Sequence, residues 1–195
     1  MENLNEQTDN ALVEAFQQGN DSAFEELVYR YKNPLLQYLY GMVKDEAAAE
    51  DLFQDVFISF FKQRERFEAS GSFKAWLFLT ARNRVFNFFR DTKQVTSLDQ
   101  TDEEGNAFMQ ETLADNSRPV LDELSWQDFQ ENVRQAIEQL SARQRDIIYL
   151  RQFLSFQEIA DTVGKPLGTV LADCHRAIKK LQTILAEPSA QGERV

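Results

Sequence analysis

"SFQEIADTVGKPLGTVLADCHRAIKKL", residues 155–181, decides the fold class. Ser155, followed three residues later by Glu158, has the pattern of a capping box, in which each side chain satisfies one backbone N–H at a helix start. The helix it opens turns Ile159 and Val163 inward around the small Ala160. Gly164 ends it, because glycine takes the left-handed conformation at a helix C-terminus without steric cost. Pro166 suits the start of a second helix, where its missing N–H has no helical partner to lose. Along that helix Val170, Cys174, Ala177 and Leu181 recur every three or four residues and face inward. Two capped helices joined by so short a turn form a helix-turn-helix, a shape suited to the major groove. The leading face of the second helix reads Leu171, Ala172, Asp173. That face is expected to be exposed, with an aspartate where a DNA-entering helix usually carries cations.

Outward from this motif the helical period continues. Ser141 with Gln144 caps the helix before it, and Trp126, Phe129, Val133, Ile137 and Leu140 make the stripe of another. In the first third, Leu12 and Phe16 mark a short helix that stops near Gly19 and Asn20. Asp21 or Ser22 is placed to cap the next, with Glu25 completing a capping box with Ser22. Its inward positions are Phe24, Leu27, Val28 and Tyr31, and Pro34 interrupts or kinks it before residues 35–39. A third helix carries Leu52, Val56, Phe57, Phe60 and Phe61. A fourth starts at Ser72 and buries Phe73, Leu77, Ala81, Val85 and Phe88. Gly and Pro are scarce and no stretch alternates β-branched residues, so the fold class is all-α. Residues 94–119 break the pattern, being rich in Asp, Glu, Gln, Thr and Asn. They read as a flexible acidic linker between two small helical domains. The expected divisions are 10–93, the linker at 94–120, 121–186, and a loose tail at 187–195.

The chain has 195 residues and a formal net charge of −11, which taken alone argues against nucleic acid. The distribution of that charge points the other way. Residues 1–61 carry 3 basic and 12 acidic side chains, and residues 94–133 carry 1 and 10. Residues 62–93 carry 8 basic and 3 acidic, and residues 134–186 carry 8 and 5. Two basic islands therefore lie within an acidic chain. Hydrophobic residues at 43% and sixteen Phe supply enough apolar surface for cores. A single cysteine, Cys174, excludes an internal disulfide and any multi-cysteine zinc site. Its neighbour His175 points about 100° away on the helix, so the two cannot chelate one ion together. No constellation for nucleophilic, acid–base or metal catalysis appears, and no Gly-rich phosphate loop. The expectation is a protein without a cofactor that is not an enzyme. The polar N-terminus shows no signal peptide, and no apolar run approaches the roughly 18 residues of a membrane span.

"LSARQRDIIYLRQFLSFQEIADTVGKPLGTVLADCHRAIKKL" resembles region 4 of a bacterial sigma factor, the part that reads the −35 promoter element. "SAFEELVYRYKNPLLQYL", "AAAEDLFQDVFISFFKQRERF" and "GSFKAWLFLTARNRVFNFFRD" resemble region 2, in the same order. With no room for a further domain between the two blocks, the pattern is similar to the extracytoplasmic-function (ECF) group. The resemblance implies two helical domains that bind core RNA polymerase and direct it to promoters. Its implied partners are the clamp helices of the largest polymerase subunit, the polymerase flap, promoter DNA and an anti-sigma factor. It implies no small-molecule substrate and no insertion into a membrane. The implied location is the cytoplasm, with an anti-sigma factor able to hold the chain at the inner membrane.

Three faces then become candidate sites. Leu52, Val56 and Phe57 pack inward, so Asp51, Gln54 and Asp55 project outward. The resemblance implies that this acidic face docks on the polymerase clamp helices, which are basic in the family. On the fourth helix Trp76, Thr80, Asn83, Asn87 and Arg90 share one face, offset by one residue from the buried stripe. Amides that bond base edges, a ring that stacks and a cation that holds phosphate suit an unpaired strand. Trp76 also fits a role in core packing. The preceding loop adds Arg64, Arg66 and Phe67, and in the family the matching loop and helix hold the melted −10 element. The third face comprises Lys165, Thr169, Leu171, Ala172, Asp173, His175, Arg176 and Lys179, with Lys180 beside them and Arg143, Arg145 and Arg151 preceding. Sigma region 4 commonly shows Lys or Arg at the positions of Leu171 and Asp173. An exposed Asp173 would either accept from a cytosine amino group or repel the DNA backbone. Two other readings stay open: a stand-alone helix-turn-helix regulator, and a sigma-like adaptor with reduced DNA binding, supported by Asp173 alone.

Overall fold

A computed structural model describes residues 4–67, 72–92 and 123–186, with the side chains of 123–130 excepted. The expected linker at 94–120, the tail at 187–195 and the stripe positions Trp126 and Phe129 lie outside that description. Among the described residues all regular structure is helical: α1 (Asp9–Gln17), α2 (Asp21–Val43), α3 (Glu46–Gln63), α4 (Phe73–Asp91), α5 (Glu123–Glu138), α6 (Ala142–Arg151), α7 (Phe156–Val163) and α8 (Leu167–Ala186). Short 3₁₀ turns occupy Leu4–Glu6 and Arg64–Arg66.

Local chemistry sets the helix ends. Thr8, Asp45 and Ser72 each accept a hydrogen bond from a backbone N–H three residues on, starting α1, α3 and α4. Both expected capping boxes downstream form, Ser141 with Gln144 before α6 and Ser155 with Glu158 at α7. The one expected at Ser22 and Glu25 does not form. Helix α2 starts at Asp21, and its N-cap Asn20 makes no side-chain cap bond. Pro34 does not interrupt α2, which runs unbroken for 23 residues. Proline inside a helix costs about 3 kcal/mol, and here it is bracketed by buried Tyr31, Leu35, Tyr38 and Leu39. Tertiary packing therefore holds the helix together across it.

The described residues form two compact units that are not consecutive blocks: one gathers residues 4–67 and 72–92 with 149–167, and the other 123–148 with 168–186. In the first, Leu12, Phe16, Leu27, Leu35, Val56, Phe60, Leu77 and Val85 are fully buried. Phe60 is the hub of its aromatic cluster, with ring centroids 5.5 Å from Phe16, 4.9 Å from Phe73 and 5.7 Å from Trp76. Asp9 ties α1 to α2 by accepting from Arg30 and from the hydroxyl of Tyr31. Burial, then that carboxylate, pushes the Tyr31 phenol far above its ordinary range. The segment 149–167 packs into the same unit, where Phe78 stacks on Phe153 at 5.1 Å. A Cβ added to Gly41 would stand 2.5 Å from the Tyr149 ring, so only glycine fits there. Phe78 is fully buried although the expected stripe of α4 omitted it, while Phe88, expected inside, is half-buried. In the second unit Ala136, Leu140, Ile147, Val170, Cys174 and Ala177 are buried.

Candidate nucleic-acid interface

On α3 the buried set Leu52, Val56 and Phe57 turns Asp51, Gln54 and Asp55 outward, and all three are exposed. Ile58 extends the same face, three residues beyond Asp55, and is 47% exposed. The sequence does not single it out, because a lone exposed isoleucine carries no chemical signature. Ile58 adds apolar area beside the two exposed carboxylates.

On α4 the expected polar stripe is present. Asn83, Asn87 and Arg90 are exposed, and Thr80 and Trp76 are half-buried. Trp76 packs into the aromatic cluster and is half-buried. Its ring lies edge-on to Phe67 at 5.2 Å and is stacked with Phe73 at 6.2 Å, yet it keeps a solvent-facing edge. Phe67 closes the same wall, 5.4 Å from Phe60. Arg66 is exposed, whereas Arg64 is half-buried with its guanidinium over Phe16 at 5.6 Å and Phe61 at 5.9 Å. Arg64 therefore works partly as a cation–π lid on the core. Residues 68–71 of the loop lie outside the described residues.

Gln17, on α1, joins the site without having been expected there. Its side-chain amide donates to the carbonyl of Arg64 at 2.7 Å and to that of Phe67 at 2.8 Å. One amide thus satisfies two loop carbonyls across 47 and 50 residues of chain. No sequence signal at Gln17 distinguishes it from other glutamines on helices. Arg84 similarly donates from α4 to the Ser59 hydroxyl on α3 at 2.8 Å.

On α8 the structure corrects the expected placement of Asp173. Its side chain is 6% exposed, and its two carboxylate oxygens accept separately from Arg143 and Arg176. It does not stand on the leading face. The reason is the helical period: 173 lies three residues after buried Val170 and four before buried Ala177, on the inward side. Leu171, Ala172 and Thr169 are half-buried, and Lys165 is half-buried in the turn after Gly164, whose φ of +66° is the left-handed end expected there. His175, Arg176, Lys179 and Lys180 are exposed. Of the preceding arginines, Arg145 donates to the carbonyls of Glu138 and Leu140 and so closes the end of α5. Arg151 donates to the Leu154 carbonyl and lies over the Phe156 ring at 4.6 Å. Arg145 is thus engaged at that helix end, whereas Arg151 remains exposed. Among the described residues no cluster of three His, Cys, Asp or Glu side chains is placed to hold a metal ion, and no helix is long and apolar enough to cross a membrane.

Comparison with known proteins adds an independent line. Residues 27–95 match the family model for sigma-70 region 2, and residues 130–181 match that for sigma-70 region 4. The RNA polymerase sigma-H factor of Pseudomonas aeruginosa is 30% identical over 94% of this chain and 99% of its own length. The ECF RNA polymerase sigma factor SigX of Bacillus subtilis is 34% identical over 83% of each chain. Among solved structures, the sigma factor RpoE in complex with the anti-sigma factor NepR from Bartonella quintana aligns with a TM-score of 0.61 at 24% identity. That alignment covers 83% of this chain and 96% of the other, and shows a shared fold.

Proposed function

The chain belongs to the sigma-70 family of RNA polymerase sigma factors, in its ECF group, and on that premise we propose how its exposed faces divide the work of starting transcription. The acidic face of α3 docks on basic helices of core RNA polymerase. Asp51, Gln54 and Asp55 supply steering and polar contacts, and Ile58 adds apolar area at the end of the face. The face of α4 takes an unpaired promoter strand. Asn83 and Asn87 bond base edges, the open edge of Trp76 and the ring of Phe67 offer stacking surface, and Arg66 and Arg90 hold phosphates. The cationic face of α8 takes duplex DNA upstream.

The observation that carries this reading is the α4 stripe. Two exposed mid-helix asparagines disfavour the helix in isolation, yet they stand beside a half-buried aromatic wall and an exposed arginine. Packing gives no reason for that combination, and a single strand of nucleic acid gives one. The test is a titration of the chain, bound to core polymerase, with a fork-junction DNA that exposes one strand. The expected preference for the fork over full duplex depends on Asn83 and Asn87.

Residues 10–93 and 121–186 act as the polymerase-docking and upstream-DNA modules, with the acidic segment 94–120 threading the nucleic-acid channel of the polymerase. An anti-sigma factor is a further partner, in line with the complex in which the related fold of RpoE was solved. The protein acts by binding and not by catalysis, in the cytoplasm. The adaptor reading rested on an exposed Asp173, and the burial of that side chain removes its support.

A further inference from the structure

The charges of α8 are arranged in a way that its role in DNA binding does not by itself require. Asp173 is the only acid between residues 167 and 186, and it is buried, so the exposed charges of that helix, Arg176, Lys179 and Lys180, are all positive. A carboxylate at a buried position is costly unless it is paired and hydrogen-bonded. Asp173 is paired twice. One oxygen takes a guanidinium N–H from Arg143 in the first turn of α6, and the other takes one from Arg176 a turn further along α8. Both arginine side chains remain nearly half exposed, at 43% and 45%, and among the described residues neither has another acceptor. Each guanidinium carries five N–H donors, so most of each fork stays open to solvent.

We propose that Asp173 is a positioning residue that braces Arg143 and Arg176 as a paired clamp for the phosphates of duplex DNA. This rests on the reading of α8 as a duplex-binding face. Arginine side chains lose much rotamer freedom when they bind, and a partner that fixes them beforehand lowers that cost. The planar fork then meets phosphate in the bidentate geometry that lysine lacks. The buried carboxylate therefore strengthens DNA binding through its two partners, although its own charge opposes that of DNA.

The sign of one substitution separates this from the simpler electrostatic view. Asp173→Asn removes a negative charge, so charge alone predicts tighter binding and a steeper salt dependence. The clamp predicts the opposite. In the full chain on a mixed-sequence duplex, read by fluorescence anisotropy over a salt series, Asp173→Asn weakens binding roughly three- to tenfold, as expected for one or two hydrogen bonds. The log–log salt slope falls by about 0.9 for each arginine that loses its phosphate. Arg143→Gln and Arg176→Gln each weaken binding similarly, and in the double Arg143→Gln, Arg176→Gln background Asp173→Asn has no further effect. A role in folding alone would not produce that dependence, and the single arginine variants keep the test open should Asp173→Asn unfold. Lys179→Gln, which leaves the Asp173 pairs untouched, is the control for the underlying reading. If it weakens binding while Asp173→Asn tightens it or the arginine variants change nothing, the clamp is overturned and the duplex face stands. Arginines that face an acidic protein surface instead would give that same outcome. If wild type and Lys179→Gln alike show no salt-dependent binding, the duplex reading itself falls, and the clamp with it.

Discussion

The Gln17 side chain donates to the backbone carbonyl of Arg64 at 2.7 Å, which makes α1 a support for the turn that precedes α4. The same amide reaches Phe67 at 2.8 Å, the residue whose ring closes the wall against Trp76. Gln17→Ala would leave both carbonyls short of a donor at a cost of about 1–3 kcal/mol. The expected outcome is a modest fall in melting temperature and a clear loss of affinity for fork-junction DNA in the holoenzyme, with affinity for core polymerase unchanged. Equal losses for forked and fully duplex DNA would show that the loop is not what Gln17 serves.

The docking face should separate binding from folding. Asp51, Gln54 and Asp55 are exposed, so Asp51→Lys with Asp55→Lys should leave the circular dichroism spectrum intact, and surface changes of this kind usually shift stability by less than about 0.5 kcal/mol. Affinity for core polymerase should drop at least tenfold. Ile58→Ala should weaken the same complex without changing its salt dependence, since its contribution is apolar. A titration against purified core enzyme checks both, and unchanged affinity in the double variant removes this face from the interface.

Asn83→Ala and Asn87→Ala remove side chains that are exposed and share the α4 stripe. Alanine is the better helix former, so each variant should fold at least as well as wild type. Affinity for fork-junction DNA should nevertheless fall, by about 1–3 kcal/mol per lost base-edge contact. Normal fork binding by the double variant would contradict the assignment of the stripe.

Glu158 supplies a pH signature. Burial alone would raise its pKa, but hydrogen bonds from the Ser155 backbone N–H and hydroxyl, with the charge of Lys74, hold the carboxyl below its ordinary value. A carboxyl depressed in the folded state adds stability that is fully present above its unfolded pKa near 4.5 and is lost as the pH falls through the folded value. Glu158→Gln keeps a capping-box residue at that position but does not titrate. Its melting temperature should therefore fall less steeply than that of wild type as the pH drops below 4.5, and parallel curves would mean that Glu158 contributes nothing to acid sensitivity.

Much of the fold was legible because its signals are local. Ser72, the pairs Ser141/Gln144 and Ser155/Glu158, and Gly164 act within one turn of the chain, and each does what its residue type suggests. Where distant packing decides, local signals mislead. Pro34 is carried through α2 by the buried side chains around it, and Asn20, not Ser22, stands at the helix start. Phe78 is buried because Tyr38 and Phe153 meet it from elsewhere in the chain.

Asp173 is the instructive case at the site. The period that placed Val170, Cys174 and Ala177 inward also places 173 inward, but its charge suggested exposure. What reconciles charge with burial is Arg143, 30 residues away, and no spacing rule within α8 announces that partner. Asp51, Gln54, Asp55, Asn83 and Asn87 needed no distant partner to be exposed, so periodicity alone located them.

Transcription from promoter DNA with purified core RNA polymerase tests the central claim most directly. Core enzyme with this chain should produce transcripts from discrete start sites on genomic fragments of the source organism, where core enzyme alone gives none. Asp51→Lys with Asp55→Lys should abolish them, and Asn83→Ala with Asn87→Ala should reduce them. A chain that binds DNA yet yields no start sites with core polymerase, or start sites indifferent to the docking-face substitutions, would contradict the account.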